Sequence, residues 1–149
     1  MINIPQSFNI RVYGLLLNQQ GEIMLCDEVY QNIAMTKFPG GGLEFGEGIA
    51  DALKREFLEE LNLEIDIIQH LYTTDFYQVS AFNPQSQLVS VYYLVKPSNE
   101  NHLPSAHQTA QANNIQCRWV ASNELNADLL TWPIDKLVVE MILKKEVIW

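Results

Sequence analysis

The sequence predicts an α+β domain on three observations: one strongly amphipathic helix between Ile49 and Leu61, β-type runs on both sides of it, and no regular strand-helix alternation of the kind a parallel doubly wound sheet requires. Phe8 to Leu17 alternates weakly and then becomes continuously apolar. After Asn18-Gln19-Gln20-Gly21 a second apolar run, Ile23 to Cys26, predicts a hairpin. Asp27 to Lys37 is mixed. It leads into Phe38-Pro39-Gly40-Gly41-Gly42, a turn-rich stretch that cannot stay regular for long. Ile49, Leu53, Phe57 and Leu61 recur at four-residue spacing and form the core face of the helix, with Gly48 before it.

Leu63 to Tyr77 and Leu88 to Val95 are rich in Ile, Val, Tyr and Thr, are joined through Asn83-Pro84-Gln85-Ser86, and are expected to pair antiparallel. Ser98 to Asn114 is polar and aperiodic, which fits an insertion or a substrate-facing loop. Ile115 to Ala121 is a further strand, Ser122 to Leu125 a short capped helix, and Pro133 to Lys145 a terminal helix with Ile134, Leu137, Val138, Met141 and Ile142 on its apolar side. No internal repeat or Pro/Gly-rich linker divides the 149 residues, so one domain spanning 1–149 is expected.

The net charge of −9, with nine Lys and Arg against 18 Asp and Glu, argues against a nucleic-acid polymer as partner. A small phosphorylated substrate is also anionic, and an acidic chain holds one through divalent cations. No apolar run approaches a membrane helix and the N-terminal MINIPQSFN lacks a secretory pattern, so a cytoplasmic location away from membranes is expected. Cys26 and Cys117 both lie in apolar strand-like segments and are expected to be buried, reduced thiols. The terminal Ile148-Trp149 and the apolar side of the last helix leave a homodimer possible.

The most informative segment is Gly41 to Leu63, GGLEFGEGIADALKREFLEELNL. Helical spacing sets Glu56 beside both Glu59 and Glu60, with Glu60 nearest the apolar stripe and hence half sheltered. Like charges so placed oppose the helix by about 0.2–0.5 kcal/mol per pair, and a divalent cation would reverse that. The segment resembles the box of the Nudix hydrolases, G-x5-E-x7-R-E-U-x-E-E-x-G-U with U a bulky apolar residue, matched by Gly41, Glu47, Arg55, Glu56, Phe57, Glu59, Glu60 and Leu63. The departure is Asn62 where the family has glycine, and Asn is the commonest non-glycine residue able to end a helix in the left-handed region.

The resemblance implies the Nudix fold, a mixed β-sheet sandwiched between helices (an α/β/α sandwich), and metal-dependent hydrolysis of a diphosphate linkage by water attack at phosphorus. It implies Mg²⁺ or Mn²⁺ as cofactor, since both favour carboxylate oxygens. Glu56 and Glu60 are the implied first ligands, joined by the backbone carbonyl of Gly40 or Gly41. Glu59 is either a third ligand or the base for the attacking water, and Arg55, the remaining member of the catalytic set with Glu56 and Glu59, orients the glutamates with Glu47. The bland alternative for Arg55 is a surface pair with Asp51. Glu44 is read either as a second-metal contact through water or as a solvated acid. Glu100 falls where some family members carry an extra carboxylate, although a lone Glu in a polar loop is usually solvated; His102 and His107 read as loop residues.

Arg11 and Lys37, with the Gly41 backbone, are the candidates for contacting substrate phosphates. Tyr30, Phe76, Tyr77 and Trp132 offer aromatic faces, but aromatics in strands are more often core than stacking platforms. The substrate reads as a nucleoside diphosphate derivative such as a nucleotide sugar, ADP-ribose or an NTP. Gln78-Val79-Ser80-Ala81 lacks the proline or tyrosine that marks particular subfamilies, and the region before the glycine turn is not arginine-rich. The competing readings are a catalytically silent nucleotide-sugar sensor, which usually lacks a box glutamate, and a diphosphate isomerase, which needs further catalytic groups, typically including a cysteine.

Overall fold

The computed structural model describes residues 4–103, 108–110 and 115–146. Ile148, Trp149 and His107 lie outside the described residues. The element order is β1 (Ser7–Leu16), β2 (Ile23–Tyr30), β3 (Ile33–Lys37), β4 (Gly40–Gly42), α1 (Ile49–Leu61), β5 (Ile65–Thr73), β6 (Ser86–Pro97), β7 (Gln108–Ala110), β8 (Ile115–Val120), a single 3₁₀ turn at Ala127–Leu129, and α2 (Pro133–Leu143). One sheet runs β4-β1-β6-β5 and the other β3-β2-β8-β7. β1 and β6 are parallel while the remaining pairs are antiparallel, so the first sheet is mixed, as the α+β reading with a Nudix-type sandwich expects.

The apolar runs of β1 and β2 are continuous because both of their faces are covered. Val12, Leu16, Met24 and Cys26 pack with Ala52, Leu53, Phe57 and Leu61 of α1. The intervening Tyr13, Leu15, Ile23 and Leu25 pack with Ile134, Val138 and Val139 of α2. Period-2 alternation along each strand therefore feeds two cores, one under each helix.

Several expectations are corrected. β1 and β2 meet at a tight turn, where the Gly21 N–H donates to the Asn18 carbonyl, but apart from a bridge between Leu17 and Ile23 they enter different sheets and do not form a hairpin ladder. The mixed segment Asp27 to Lys37 is instead the hairpin β2–β3, turned by Gln31 and Asn32, both at positive φ. The glycine-rich turn contains β4, a short strand paired with β1. Helical structure after β8 falls at Ala127–Leu129, where the Asn126 side chain accepts from the Asp128 N–H, and Ser122 to Glu124 is a turn. On α2 the buried positions are Ile134, Asp135, Val138 and Val139, a face rotated from the one centred on Leu137 and Met141. Antiparallel pairing of β5 with β6 is as expected, with register shifts at Ile67/Gln69 and His70/Tyr72.

Cys26 and Cys117 are buried, as expected, but they are joined in a disulfide, contrary to the reduced-thiol reading. They stand directly opposite each other in the β2–β8 ladder, and that register is invisible in spacing 91 residues apart.

The α2 core holds a buried ionisable pair. The Tyr92 hydroxyl of β6 donates to Asp135 Oδ1, and both side chains are buried. Burial pushes the Asp135 carboxyl up to about 6 from 3.8, against the Tyr92 hydrogen bond and the positive charges of Lys37 and Arg11. A carboxyl whose folded pKa is raised contributes stability that is fully present below its unfolded pKa and is lost as the pH rises through the folded one. The stability difference between the wild type and Asp135→Asn, which does not titrate there, should therefore fall by roughly 2 kcal/mol between pH 4 and pH 7. Urea unfolding of both proteins across that range measures it; a flat difference would refute the assignment.

Candidate active site

α1 begins after Gly48, whose backbone N–H donates to the Asp51 carboxylate at 3.1 Å, so Asp51 caps the helix and does not pair with Arg55. It ends at Asn62, which takes the left-handed conformation expected of it (φ 50°, ψ 41°), with its N–H on the Leu58 carbonyl at 3.0 Å. Between these ends, the helix presents its glutamates to β4. Gly41 has no side chain because the Glu56 carboxylate fills that space: a Cβ there would lie 2.3 Å from Glu56 Oε1. Gly40, at φ +150°, is held against the β1 backbone, where a Cβ would lie 2.1 Å from the Val12 carbonyl oxygen. Its N–H points to Glu60 Oε2 at 3.4 Å.

Arg55 ties this arrangement together. Its Nε and Nη2 donate to the two oxygens of Glu47 at 3.0 and 2.8 Å, and Nη2 also donates to the Gly42 carbonyl at 2.9 Å. Nη1 reaches Glu56 Oε1 at 3.1 Å and Glu59 Oε2 at 3.3 Å. The fork geometry suits this bidentate clamp, which joins the glycine strand, the loop and the helix. Hydrogen bonding from Arg55 holds the Glu47 carboxyl below its usual range.

Lys37 and Glu60 are both buried and form an ion pair at 3.5 Å, and Lys37 Nζ also donates to the Gly40 carbonyl at 3.2 Å. Burial pushes the Glu60 carboxyl up to about 7, opposed by Lys37 and reinforced by the negative Glu56. Burial also disfavours charge on Lys37, yet Glu60 leads the groups that leave its pKa raised overall. Geometry decides in favour of a charged Lys37, because its ammonium sits against two oxygens.

Lys37 and Arg11 both line a cavity of about 430 Å³ that continues to Tyr92, Trp132 and Asp135. Arg11 Nε donates to the Tyr13 hydroxyl at 3.1 Å. The two cations expected to meet phosphate thus share one chamber beside the glutamates.

Glu59 shares Arg55 Nη1 with Glu56 but is far less buried than Glu56 or Glu60. Its side chain is 58% exposed, on the solvent side of Arg55. Glu44 is exposed, at 3.8 Å from Arg55, while its backbone N–H donates to Glu47. Glu100 and His102 are exposed in the loop after β6. Among the described residues no three His, Cys, Asp or Glu side chains form a metal cage. Two carboxylates and a carbonyl around Gly40 nevertheless fit an ion that keeps several waters and borrows substrate oxygens, and the space a Cβ would fill at Gly41 is occupied by one of those carboxylates.

Sequence reasoning missed Phe82, Asn9 and the Tyr92–Asp135 pair on the cavity wall. Asp135 carried a signal: it shares a helix face with Val138 and Val139, and a carboxylate in an apolar stripe is expensive unless it has a partner. The core reading of the aromatics is also corrected, since Tyr30, Phe76 and Tyr77 are exposed and Trp132 is half-buried at the cavity.

Residues 7–141 match the family model for the NUDIX domain. The chain belongs to the NUDIX family. Membership makes it a hydrolase of the pyrophosphohydrolase type, a class that acts on small nucleotide substrates and generally uses divalent metals. Solved NUDIX structures share its fold. A NUDIX hydrolase from Nitrosomonas europaea is 17% identical with a TM-score of 0.72, over 93% of this chain and 90% of that one. A MutT NUDIX hydrolase from Burkholderia pseudomallei is 19% identical with a TM-score of 0.66, over 92% and 99%. The Escherichia coli ORF135 protein is 21% identical with a TM-score of 0.68, over 95% and 92%. Comparison with curated proteins returned no match. No helix among the described residues is long and apolar enough to cross a membrane.

The NUDIX glycine strand gives a test that separates fold from site. The obstacle to Gly41→Ala is the movable end of Glu56, not backbone, so the variant should fold with near wild-type thermal stability while its Glu56 carboxylate is displaced. Turnover should fall about tenfold or more, the size of loss expected where Glu56 serves as the metal ligand that the sequence resemblance implies. Parallel thermal melts and hydrolysis assays check this; unchanged turnover would mean that the position of Glu56 is immaterial.

Proposed function

We propose that this NUDIX domain, spanning residues 1–149, hydrolyses the diphosphate linkage of a nucleoside diphosphate derivative, such as a nucleotide sugar, ADP-ribose or an NTP, with Mg²⁺ or Mn²⁺ as cofactor. The observation that carries this reading is the approach of the Glu56 and Glu60 carboxylates of α1 to the glycine strand β4, beside Lys37, which bonds the Gly40 carbonyl and lines the cavity together with Arg11. Glu56, Glu60 and the Gly40 carbonyl would hold the ion, and Glu59 would complete its shell or act on the water. Bound there, the ion would polarise the phosphoryl oxygens and acidify the attacking water.

The chain's own groups supply the rest. Arg55 fixes Glu56 in place and prevents the helix from moving away from Gly42. Arg11 and Lys37 orient the anionic diphosphate and offset its charge in a chain whose net charge is −9. Glu59, at the exposed rim, is placed to exchange a proton with solvent, and its carboxylate is oriented by Arg55. The same net charge favours a small nucleotide over a nucleic-acid polymer. A cytoplasmic location remains part of the proposal, although the Cys26–Cys117 bond is of a kind that reducing compartments seldom keep.

Nucleotide or phosphate release from NDP-sugars, ADP-ribose, dinucleoside polyphosphates and NTPs, each with Mg²⁺, Mn²⁺ or chelator, tests the reading. At least one substrate should be cleaved in a metal-dependent way. Glu56→Gln and Glu60→Gln should each lower that turnover on the order of a hundredfold or more, with the fold retained. Saturable binding without cleavage of any substrate would replace the hydrolase with a nucleotide sensor.

A further inference from the structure

Both hydrogen bonds of the Lys37 ammonium go to oxygens that the proposed function gives to the metal ion. Lys37 closes β3 opposite Cys26 of β2, so its backbone is fixed and only its four-carbon stem is free to turn. The buried Nζ donates to the Gly40 carbonyl at 3.2 Å and to Glu60 Oε1 at 3.5 Å. Arg55 is placed differently. Its bond to Glu56 is one of several, and the Glu47 carboxylate and the Gly42 carbonyl hold the guanidinium whatever Glu56 does. On its other side Lys37 borders the cavity, where Arg11 repels it and the Glu28 carboxylate of β2 attracts it. The ammonium therefore has a second anionic partner, Glu28, on the cavity wall.

We infer that Lys37 is the internal counter-ion of the metal-free site: its ammonium holds the Gly40 carbonyl and Glu60 until a divalent ion takes those oxygens, and then turns to Glu28 and the substrate diphosphate. The inference rests on the hydrolase reading and deepens it by naming the group that ion entry must displace. An ammonium and a divalent ion on the same two oxygens would stand a few ångströms apart, and like charges that close inside a protein repel strongly. Without Lys37, Glu60 would be a buried carboxylate beside the negative Glu56, a costly arrangement that the ammonium relieves. While it is paired with Glu60, Lys37 offers a diphosphate little net charge. Released into the cavity, it adds a full positive charge to that of Arg11. Lys37 thus makes ion binding weaker than the carboxylates alone would allow, and it ties capture of the diphosphate to prior entry of the ion.

Mn²⁺ binding to the metal-free full-length protein, read by electron paramagnetic resonance at one fixed pH with no substrate present, tests this on the wild type, Lys37→Met and Glu60→Gln. Lys37→Met should bind Mn²⁺ about tenfold tighter than the wild type, a usual size for coupling between two bound groups, and should melt at a lower temperature in chelator. Equal or weaker Mn²⁺ binding by a folded Lys37→Met would overturn the inference. A second measurement needs no variant: acetylation of the wild type with acetic anhydride, followed by mass spectrometry, should modify Lys37 several-fold faster in Mg²⁺ than in chelator, with the exposed Lys54 and Lys96 unchanged. The same Lys37 rate in both would also overturn it. Wild-type Mn²⁺ binding that weakens in Glu60→Gln and is unaltered in Lys37→Met would remove this role and leave the hydrolase standing, whereas no saturable binding by the wild type or by Lys37→Met would remove the metal site on which both rest.

Discussion

The close contact between the backbone of β4 and the carboxylates of α1 is the constraint on which the site depends. Helix and strand approach so closely that Glu56 occupies the volume a side chain at Gly41 would need. Such proximity is possible only because β4 is Gly40-Gly41-Gly42, and it is maintained because Arg55 bonds both to Gly42 and to the loop residue Glu47. The helix in turn is fixed from beneath by Phe57, Leu53 and Leu61 in the core under β1 and β2. Packing thus positions the helix to within the tolerance that hydrogen bonds then refine.

Electrostatics follow from this geometry. Helix spacing sets Glu56, Glu59 and Glu60 side by side, and burial makes charge on Glu60 more costly still. Two cations relieve the repulsion: Arg55 from the outer side, Lys37 from within the cavity. Lys37 contacts both Glu60 and the Gly40 carbonyl, the oxygens expected to hold a metal ion, so the buried ammonium lies where positive charge is needed. Under the proposed reading, a divalent ion would add to the cationic charge that Arg55 and Lys37 already bring to these carboxylates.

The helix, its buried face, the glutamate cluster and the left-handed turn at Asn62 were legible in the sequence, because each depends on residues within one or two helical turns. What could not be read depends on register between distant segments. Cys26 faces Cys117 only once β2 and β8 are paired, and Asp135 meets Tyr92 only once α2 lies across β6. The β1–β2 connection has the residues of a hairpin, yet its strands diverge into separate sheets because β1 takes its partners from β4 and β6, farther along the chain. Tyr30 and Trp132 carried no signal of exposure, since burial of an aromatic is decided by which elements cover it.

The most direct test of the central claim is Mn²⁺ binding to the metal-free protein, followed by electron paramagnetic resonance, for the wild type, Glu56→Gln and Glu60→Gln. The account predicts saturable binding to the wild type that weakens about tenfold or more in each variant, with no substrate present. Equal binding by all three proteins would contradict it, because the ion would then be held somewhere other than between the glycine strand and the helix.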